Sequence, residues 1–309
     1  MRTIRGWRGL RAEDQGASLA FGAFDGVHRG HQRVIAAAAE EARRLDVPLG
    51  AVAFEPHPWR WFHPDDPPFL LTNAEQQARQ FAALGVERLY VLPFDDHLAG
   101  LSAEDFAREV LADGLAVHHV IVGFDTTFGR GRTGDSELLR SLGERLGFGA
   151  TVVAEVADAA GHKLSSTAAR HALKAGDPRH AAEILGRPFA VEGVVEQGRK
   201  LGRELGFPTA NVALGDYVRP RLGIYASRTR LPGGRILSGV SSVGTNPTVG
   251  LVDARLEAWL FDFDEDIYGE TIETELIEFL RPEERFDSVQ AMVRQVNADA
   301  ARARQLLGV

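Results

Sequence analysis

SLAFGAFDGVHRGHQRVIAAAAEEARRL, Ser18 to Leu45, passes from a short apolar run through a glycine-bearing turn into a long segment of helical period. Val34, Ala38, Ala42 and Leu45 recur at helical spacing, so a helix from about Gly30 to Leu45 would lay one apolar face on a sheet. A strand that feeds directly into such a helix is the repeating unit of a parallel α/β layer. Outward from it the alternation continues. PLGAVAF (Pro48 to Phe54), ERLYVLPF (Glu87 to Phe94), HHVIVGF (His118 to Phe124) and ATVVAEV (Ala150 to Val156) read as further strands. Helices are expected over Asn73 to Leu84, Ala103 to Leu111 and Ser136 to Leu146.

Past two short helical stretches broken at Gly176-Asp177-Pro178, the text changes character near Gly186. AVEGVVEQG, GIYASRTRL, ILSGVSSVG, ARLEAWLFDF and TIETELIEFL are alternating, glycine-punctuated runs, with a hairpin turn at Pro232-Gly233-Gly234. They predict a small antiparallel barrel or sandwich. A helix from Ser288 to about Leu307 closes the chain, with Asp287 and Gln290 at capping-box spacing and Val289, Val293, Val296, Ala300 and Ala303 as its apolar stripe. Two domains follow, residues 1–186 and 187–309, and a length of 309 residues is enough for two cores.

Composition narrows the partners. A formal charge of −8 argues against nucleic-acid binding, which needs a basic surface. There is no cysteine, so no thiolate chemistry or disulfide framework is available. The start, MRTIRGWRGLRAEDQG, lacks the apolar centre of a signal peptide, and no run reaches the length of a membrane span. The expectation is a soluble cytoplasmic protein with no membrane partner. Its assembly is left open, a homo-oligomer included.

An anionic ligand would then have to be held by local devices. In FDGVHRGH, Phe24 to His31, Gly26 and Gly30 permit tight turning and close backbone approach, and the helix start offers N–H groups and a positive dipole end. His28 and His31, three apart, can share one face and donate to phosphoryl oxygens. The plainer alternatives are solvated histidines or an i,i+3 metal pair. VGFDTTFGRGRTGD, Val122 to Asp135, carries Asp125, Arg130 and Arg132 in a glycine-rich loop after a strand, where α/β sheets bind ligands. SSTAAR, Ser165 to Arg170, opens a helix with three hydroxyls and sets Arg170 one turn on. Alone, Ser165 would be a cap and Arg132 a surface charge; together the segments suggest a triphosphate clamp.

In the second half, GRKLGRELGFPTANV, Gly198 to Val212, is too interrupted by glycines and Pro208 for a regular central strand. A glycine-rich flap ending in side-chain oxygens suits a nucleotide phosphate and its Mg²⁺. Thr209 and Asn211, two apart in extended chain, would point the same way, although a bare Thr-x-Asn is also a turn device. In ARLEAWLFDF, alternation puts Glu257 on one face with Trp259, Phe261 and Phe263. Such a setting would partly desolvate the carboxylate and raise its pKa towards that of a general base, unless it is a rim salt bridge. Glu273 and Glu275 read as the wet face of a strand.

FDGVHRGH, FEPHPW (Phe54 to Trp59), the Gly-Arg loop and SSTAAR occur in the order seen in the adenylyltransferase half of bacterial bifunctional riboflavin kinase/FAD synthetases, which this part resembles. GRELGFPTAN, GIYA, GTNPTVG, LEAWLFDFDEDIYG, FLRPEERF and a closing helix bearing Asp299 resemble the kinase half. The resemblance implies a Rossmann-like parallel-sheet nucleotidyltransferase domain followed by a small antiparallel β-barrel kinase domain with a C-terminal helix. It implies riboflavin, FMN and ATP as substrates, FAD as product and Mg²⁺ as cofactor. On matching positions, His28 and His31 would contact the transferring phosphate, and Ser166, Thr167 and Arg170 the leaving one. Gly22, Phe24, Asp25, Gly26, Gly30, Asp125 and Arg132 would frame that nucleotide site. Gly202, Gly206, Phe207 and Pro208 would frame the kinase site, Thr209 and Asn211 would meet Mg²⁺–ATP, and Glu257 would be the base for the ribityl hydroxyl. The sequence departs from the family at Ala23, where Asn is common, at Thr126, where an aromatic is usual, and at Ala168-Ala169. Those changes leave open a kinase whose N-terminal half takes another acceptor or is inactive, and, behind it, a non-catalytic flavin- or nucleotide-binding regulator.

Overall fold

The computed structural model describes residues 1–158, 161–197, 206–245 and 254–309. Its contacts form two compact units, Met1–Asp66 with Ala74–Leu164, and Pro67–Asn73 with Ser165–Val309.

The first unit is built on a parallel sheet of β1 (Arg2–Arg5), β2 (Ser18–Ala20), β3 (Leu49–Glu55), β4 (Arg88–Pro93), β5 (His119–Gly123) and β6 (Gly149–Val153), in the order β1-β4-β3-β2-β5-β6. Every pairing is parallel. Strand residues alternate between two cores. Leu19, Val52, Tyr90 and Leu92 enter one, with Phe106 and Leu142. Ala20, Ala51, Ala53 and Leu89 enter the other, with Val34, Ile35 and Ala38 of helix α1 (Arg29–Leu45) and Phe81 of a helix over Ala74–Ala83. Burial on both faces is what a parallel sheet requires. The predicted α1 stripe holds at Val34, Ala38 and Ala42, gains Ile35, and leaves Leu45 half-buried.

Three local features differ from expectation. β2 stops at Ala20 although the apolar run continues to Phe24; the chain beyond it turns away, with Phe24 and Val27 at left-handed φ values of 53° and 41°. β1 was not anticipated: four residues, mostly exposed, at a sheet edge carry no period to read. The helix expected over Ala103 to Leu111 starts as α-helix at Ala103–Asp105 and widens into a π-helix over Phe106–Gly114. That wide turn brings Gly114 so close to Trp7 and Glu109 that an added Cβ would lie 2.8 Å from their atoms.

The second unit is an antiparallel, nearly closed barrel of β7 (Phe189–Val194), β8 (Thr209–Ala213), β9 (Gly223–Arg230), β10 (Ile236–Thr245), β11 (Ala254–Leu260) and β12 (Thr271–Arg281), in the order β7-β12-β9-β10-β11-β8. An isolated bridge between Glu196 and Asn211 draws its two edges together. Inside the barrel two hydroxyl pairs are fully buried, Ser227 with Ser241 at 2.7 Å and Thr229 with Thr274 at 3.0 Å. Helix α9 (Val289–Leu307) covers part of the outer face, where Ala300, Ala303 and Leu307 pack on Ala226, Val240 and Phe261. Its N-cap is Ser288, whose hydroxyl accepts from the Ala291 N–H, so the cap lies one residue later than the Asp287–Gln290 spacing suggested. Val289, placed in the stripe by period, is exposed in the first turn. The helix is anchored by the buried Asp299 carboxylate, which accepts from the Arg281 guanidinium at 2.8 and 3.0 Å and from Gln295 at 3.0 Å. Two further helices, α7 (Ser166–Ala175) and α8 (Pro178–Leu185), belong to this unit. α8 packs on β12, so Glu273 and Glu275 are half-buried rather than wet. Burial, and then the charge of Glu273, pushes the Glu275 carboxyl above its usual range.

Candidate active sites

In the first unit β2 is flanked by β3 on one side and β5 on the other, so the carboxyl ends of β2 and β5 mark the switch point where open α/β sheets bind ligands. The chain leaving β2 makes a 3-10 turn over Asp25–Val27, with Gly26 at φ 79°, and delivers His28 as the N-cap of α1. His28 Nδ1 accepts from the His31 N–H at 3.3 Å, which places the proton of a neutral His28 ring on Nε2. The two rings stack with centroids 3.6 Å apart, and Phe24 meets His31 edge-on at 5.1 Å. Gly30 is needed here: an added Cβ would lie 2.9 Å from the His28 ring and 3.2 Å from the Leu164 carbonyl. Phe24, Asp25, Gly26 and His28 are all buried, so the turn is a packed cradle. At Gly22 an added Cβ would first meet the Phe24 ring, at ordinary contact distance.

The chain leaving β5 folds back on itself, with Phe128 bridging Gly134, and presents Arg130–Arg132 as a 3-10 turn. Gly129, at φ 73°, lies against the backbone of Ala103 with no room for a Cβ. The Arg132 guanidinium donates to Thr127 Oγ1 at 2.9 Å, so Thr127 orients the arginine. Asp125 is exposed and forms an ion pair with Lys163, whose ammonium also sits 4.6 Å from the centre of the Phe124 ring. Lys163 was missed in the sequence. Its signal was its place directly before Leu164, whose carbonyl abuts Gly30, and one cation does not stand out among 35.

Ser165 is the N-cap of α7, its hydroxyl accepting from the Ala168 N–H at 3.2 Å, which is the plainer of its two readings. Ser166 and Thr167 occupy the first turn of α7. Arg170 donates through Nε to the Phe69 carbonyl at 2.8 Å and lies over the Phe69 ring at 5.4 Å. These residues belong to the second unit.

The barrel brings its predicted residues together by register. Asn211 of β8 lies directly opposite Glu257 of β11, and Thr209 opposite Trp259, so all four share one face of the sheet. On the far side of β11, Glu257 faces Ser242 of β10. The Asn211 side-chain amide donates to the Thr209 carbonyl at 3.2 Å and to its hydroxyl at 3.4 Å, which fixes both side chains. Their oxygens suit a hard cation that completes its shell with water and phosphate. Among the described residues there is no group of three His, Cys, Asp or Glu that could hold a metal by itself. The expected desolvation of Glu257 is not found, because the carboxylate is exposed. The face alternation holds through Trp259 and Phe261, whose rings are 5.4 Å apart, and ends at Asp262, where φ is 54°. That turn sends Phe263 into a cavity of about 170 Å³ lined also by Pro208, Thr209, Asn211, Asp266 and Tyr268. Phe207 packs edge-on against Trp259 at 4.8 Å, and Gly206 holds φ 87°. Gly202 lies outside the described residues. Glu283, in FLRPEERF, had no role assigned from sequence. It reaches back to Gly244, where partial burial and then the charge of Glu257 push its carboxyl above the usual range.

Known proteins match each half of the chain. The FAD synthetase family matches residues 10–168, and the riboflavin kinase family matches residues 185–307. The chain is 41% identical to a bifunctional riboflavin kinase/FMN adenylyltransferase of Pseudomonas fluorescens, covering 99% of this chain and 98% of that one. It is 38% identical to the protein of the same name in Escherichia coli K12, covering 100% and 99%. The Bacillus subtilis relative is 34% identical over 95% and 93%. A crystal structure described as a macrolide-efflux protein of Streptococcus pneumoniae superposes with a TM-score of 0.87 at 31% identity, covering 98% of each chain. Among the described residues of this chain no helix is long and apolar enough to cross a membrane. With both family matches in this order and relatives aligned end to end, the chain belongs to the bifunctional riboflavin kinase/FMN adenylyltransferase family.

Proposed function

We propose that this chain phosphorylates riboflavin to FMN and then adenylylates FMN to FAD, the two activities dividing at about Gly186. The observation that carries the kinase assignment is the register that sets Glu257 opposite Asn211 and Trp259 opposite Thr209. In the kinase step Glu257 takes the proton of the ribityl 5′-hydroxyl as its oxygen attacks the γ-phosphorus of ATP, and ADP leaves. Thr209 and Asn211 orient the phosphates; a bound Mg²⁺ would neutralise charge on the β- and γ-oxygens there. An exposed Glu257 suits a site that becomes dry only when substrate covers it.

In the adenylyl step a phosphate oxygen of FMN attacks the α-phosphorus of ATP and pyrophosphate departs. His28 and His31, packed at the mouth of the switch point, donate to the transferring phosphate as charge builds on it. Gly26, Gly30, Asp125 and Arg132 frame that phosphate site. The setting is a cytoplasmic enzyme supplied with Mg-ATP. Incubation of the purified chain with riboflavin and Mg-ATP, followed by chromatographic separation of flavins, is expected to show FMN first and FAD after it. No FMN would overturn the kinase reading; FMN without FAD would overturn the adenylyltransferase one.

A further inference from the structure

At the amino end of β5, at the opposite end of the strands from the switch point, three side chains stand in line, the first two as an ion pair and the last two hydrogen-bonded. His119 Nδ1 lies 3.0 Å from a Glu41 carboxylate oxygen, and His119 Nε2 lies 2.8 Å from Thr151 Oγ1. Each comes from a different element: Glu41 from α1, His119 from β5 and Thr151 from the edge strand β6. The fold fixes the ring. Gly149 is the register partner of His119, and an added Cβ there would lie 2.2 Å from Nδ1, so only glycine leaves space for the imidazole. Thr151, two residues further along β6, then points to the same side as the ring. Arg44 in turn holds the Glu41 carboxylate through a 2.8 Å hydrogen bond.

The chemistry follows from the tautomer. The Glu41 carboxylate beside Nδ1 favours the tautomer with its proton on that nitrogen, which leaves the lone pair of a neutral ring on Nε2, facing the Thr151 hydroxyl. Burial holds the imidazole below its usual pKa, despite the pull of Glu41, which favours the neutral ring at pH 7. His119 is mostly covered, whereas Thr151 is exposed. An oriented base, a carboxylate behind it and an accessible hydroxyl in front are the parts of an activated nucleophile.

We propose that Thr151 is an acylation site, its hydroxyl activated by His119 and Glu41 towards activated acyl esters and acyl phosphates. Thr151 Oγ attacks the carbonyl carbon, its proton passes to His119 Nε2, and the bond from carbonyl carbon to the leaving oxygen breaks. His119 returns the proton to the departing alkoxide or phosphate, leaving an O-acyl threonine on the outer strand.

The test is to treat the full chain with p-nitrophenyl acetate at pH 7.5 and follow acetylation by peptide mass spectrometry. Thr151 is expected to gain acetyl at least tenfold faster than any other serine or threonine. His119→Gln and, separately, Glu41→Gln should each bring it down to the rate of the other hydroxyls, with the thermal melt checking that each variant folds. If His119→Gln does not fold, the wild-type rate as a function of pH decides, because general-base activation requires it to fall as His119 protonates. Thr151 reacting no faster than other hydroxyls, or equally fast without the imidazole base, would overturn the proposal.

Discussion

The two units hold their candidate chemistry in opposite ways. In the parallel-sheet unit it stands on turns beyond strand ends, where left-handed residues such as Phe24, Gly26 and Arg132 aim the side chains. In the barrel, Thr209, Asn211 and Glu257 stand on the strands themselves and meet through the pairing of β8 with β11. A turn-borne site can be reshaped without disturbing the sheet beneath it. A strand-borne site shares its backbone hydrogen bonds with the fold and moves only when the register moves.

The strongest way to break that comparison is Glu257→Gln. Loss of a positioned base should lower FMN formation roughly a hundredfold to ten-thousandfold. Adenylylation of supplied FMN should be unchanged, and a loss of both in a folded protein would deny the division of labour. His31→Ala should do the reverse, lowering FAD formation from FMN about a hundredfold. The readout is the same flavin separation, and an unchanged FAD rate would remove His31 from the site.

Stability sharpens the contrast. Asp299→Ala leaves the mostly buried Arg281 guanidinium without its carboxylate, so it should cost the barrel roughly 3 kcal/mol in urea unfolding followed by α9 fluorescence labels. Gly129→Ala forces a Cβ to within 2.6 Å of the Ala103 backbone, at a φ that side chains avoid. It should cost the parallel-sheet unit about 1–3 kcal/mol while leaving kinase activity at its wild-type level. The smallest effect expected is with pH. Because the folded pKa of His119 lies below the ordinary 6.5, the unfolded chain takes up the proton first as pH falls. The first unit should therefore lose stability below about pH 6.5, and His119→Gln should flatten that slope in thermal melts.

What could be read from sequence follows the same division. Period-two alternation put Glu257 and Trp259 on one face of ARLEAWLFDF, and Thr209 and Asn211 on one face of PTANV; the pairing of the strands then made the two faces one. Alternation failed at Asp262, because a single left-handed residue ends the period without leaving a compositional trace. In the first unit the strands and α1 were visible through their apolar spacing. His28 as an N-cap and Lys163 as the partner of Asp125 were not, since both depend on the path of irregular backbone. β1 was hidden for the same reason as most edge strands: with one side unpaired and few buried residues, its sequence is weakly constrained. The desolvation expected at Glu257 assumed that aromatic neighbours would cover it, whereas Phe261 turns under α9 instead.

The hydroxyl pairs sealed inside the barrel act as a vernier for its strands. Ser227 with Ser241 ties β9 to β10, and Thr229 with Thr274 ties β9 to β12. A slip of two residues would keep every side chain on its proper face, and an apolar interior would scarcely resist it. Here a slip of β9 against one neighbour strands the two hydroxyls of that pair against carbon, at about 1–3 kcal/mol each. Replacing both members of a pair by alanine should thus disturb the melting point less than replacing one, while leaving the strands freer to mispair as the chain folds.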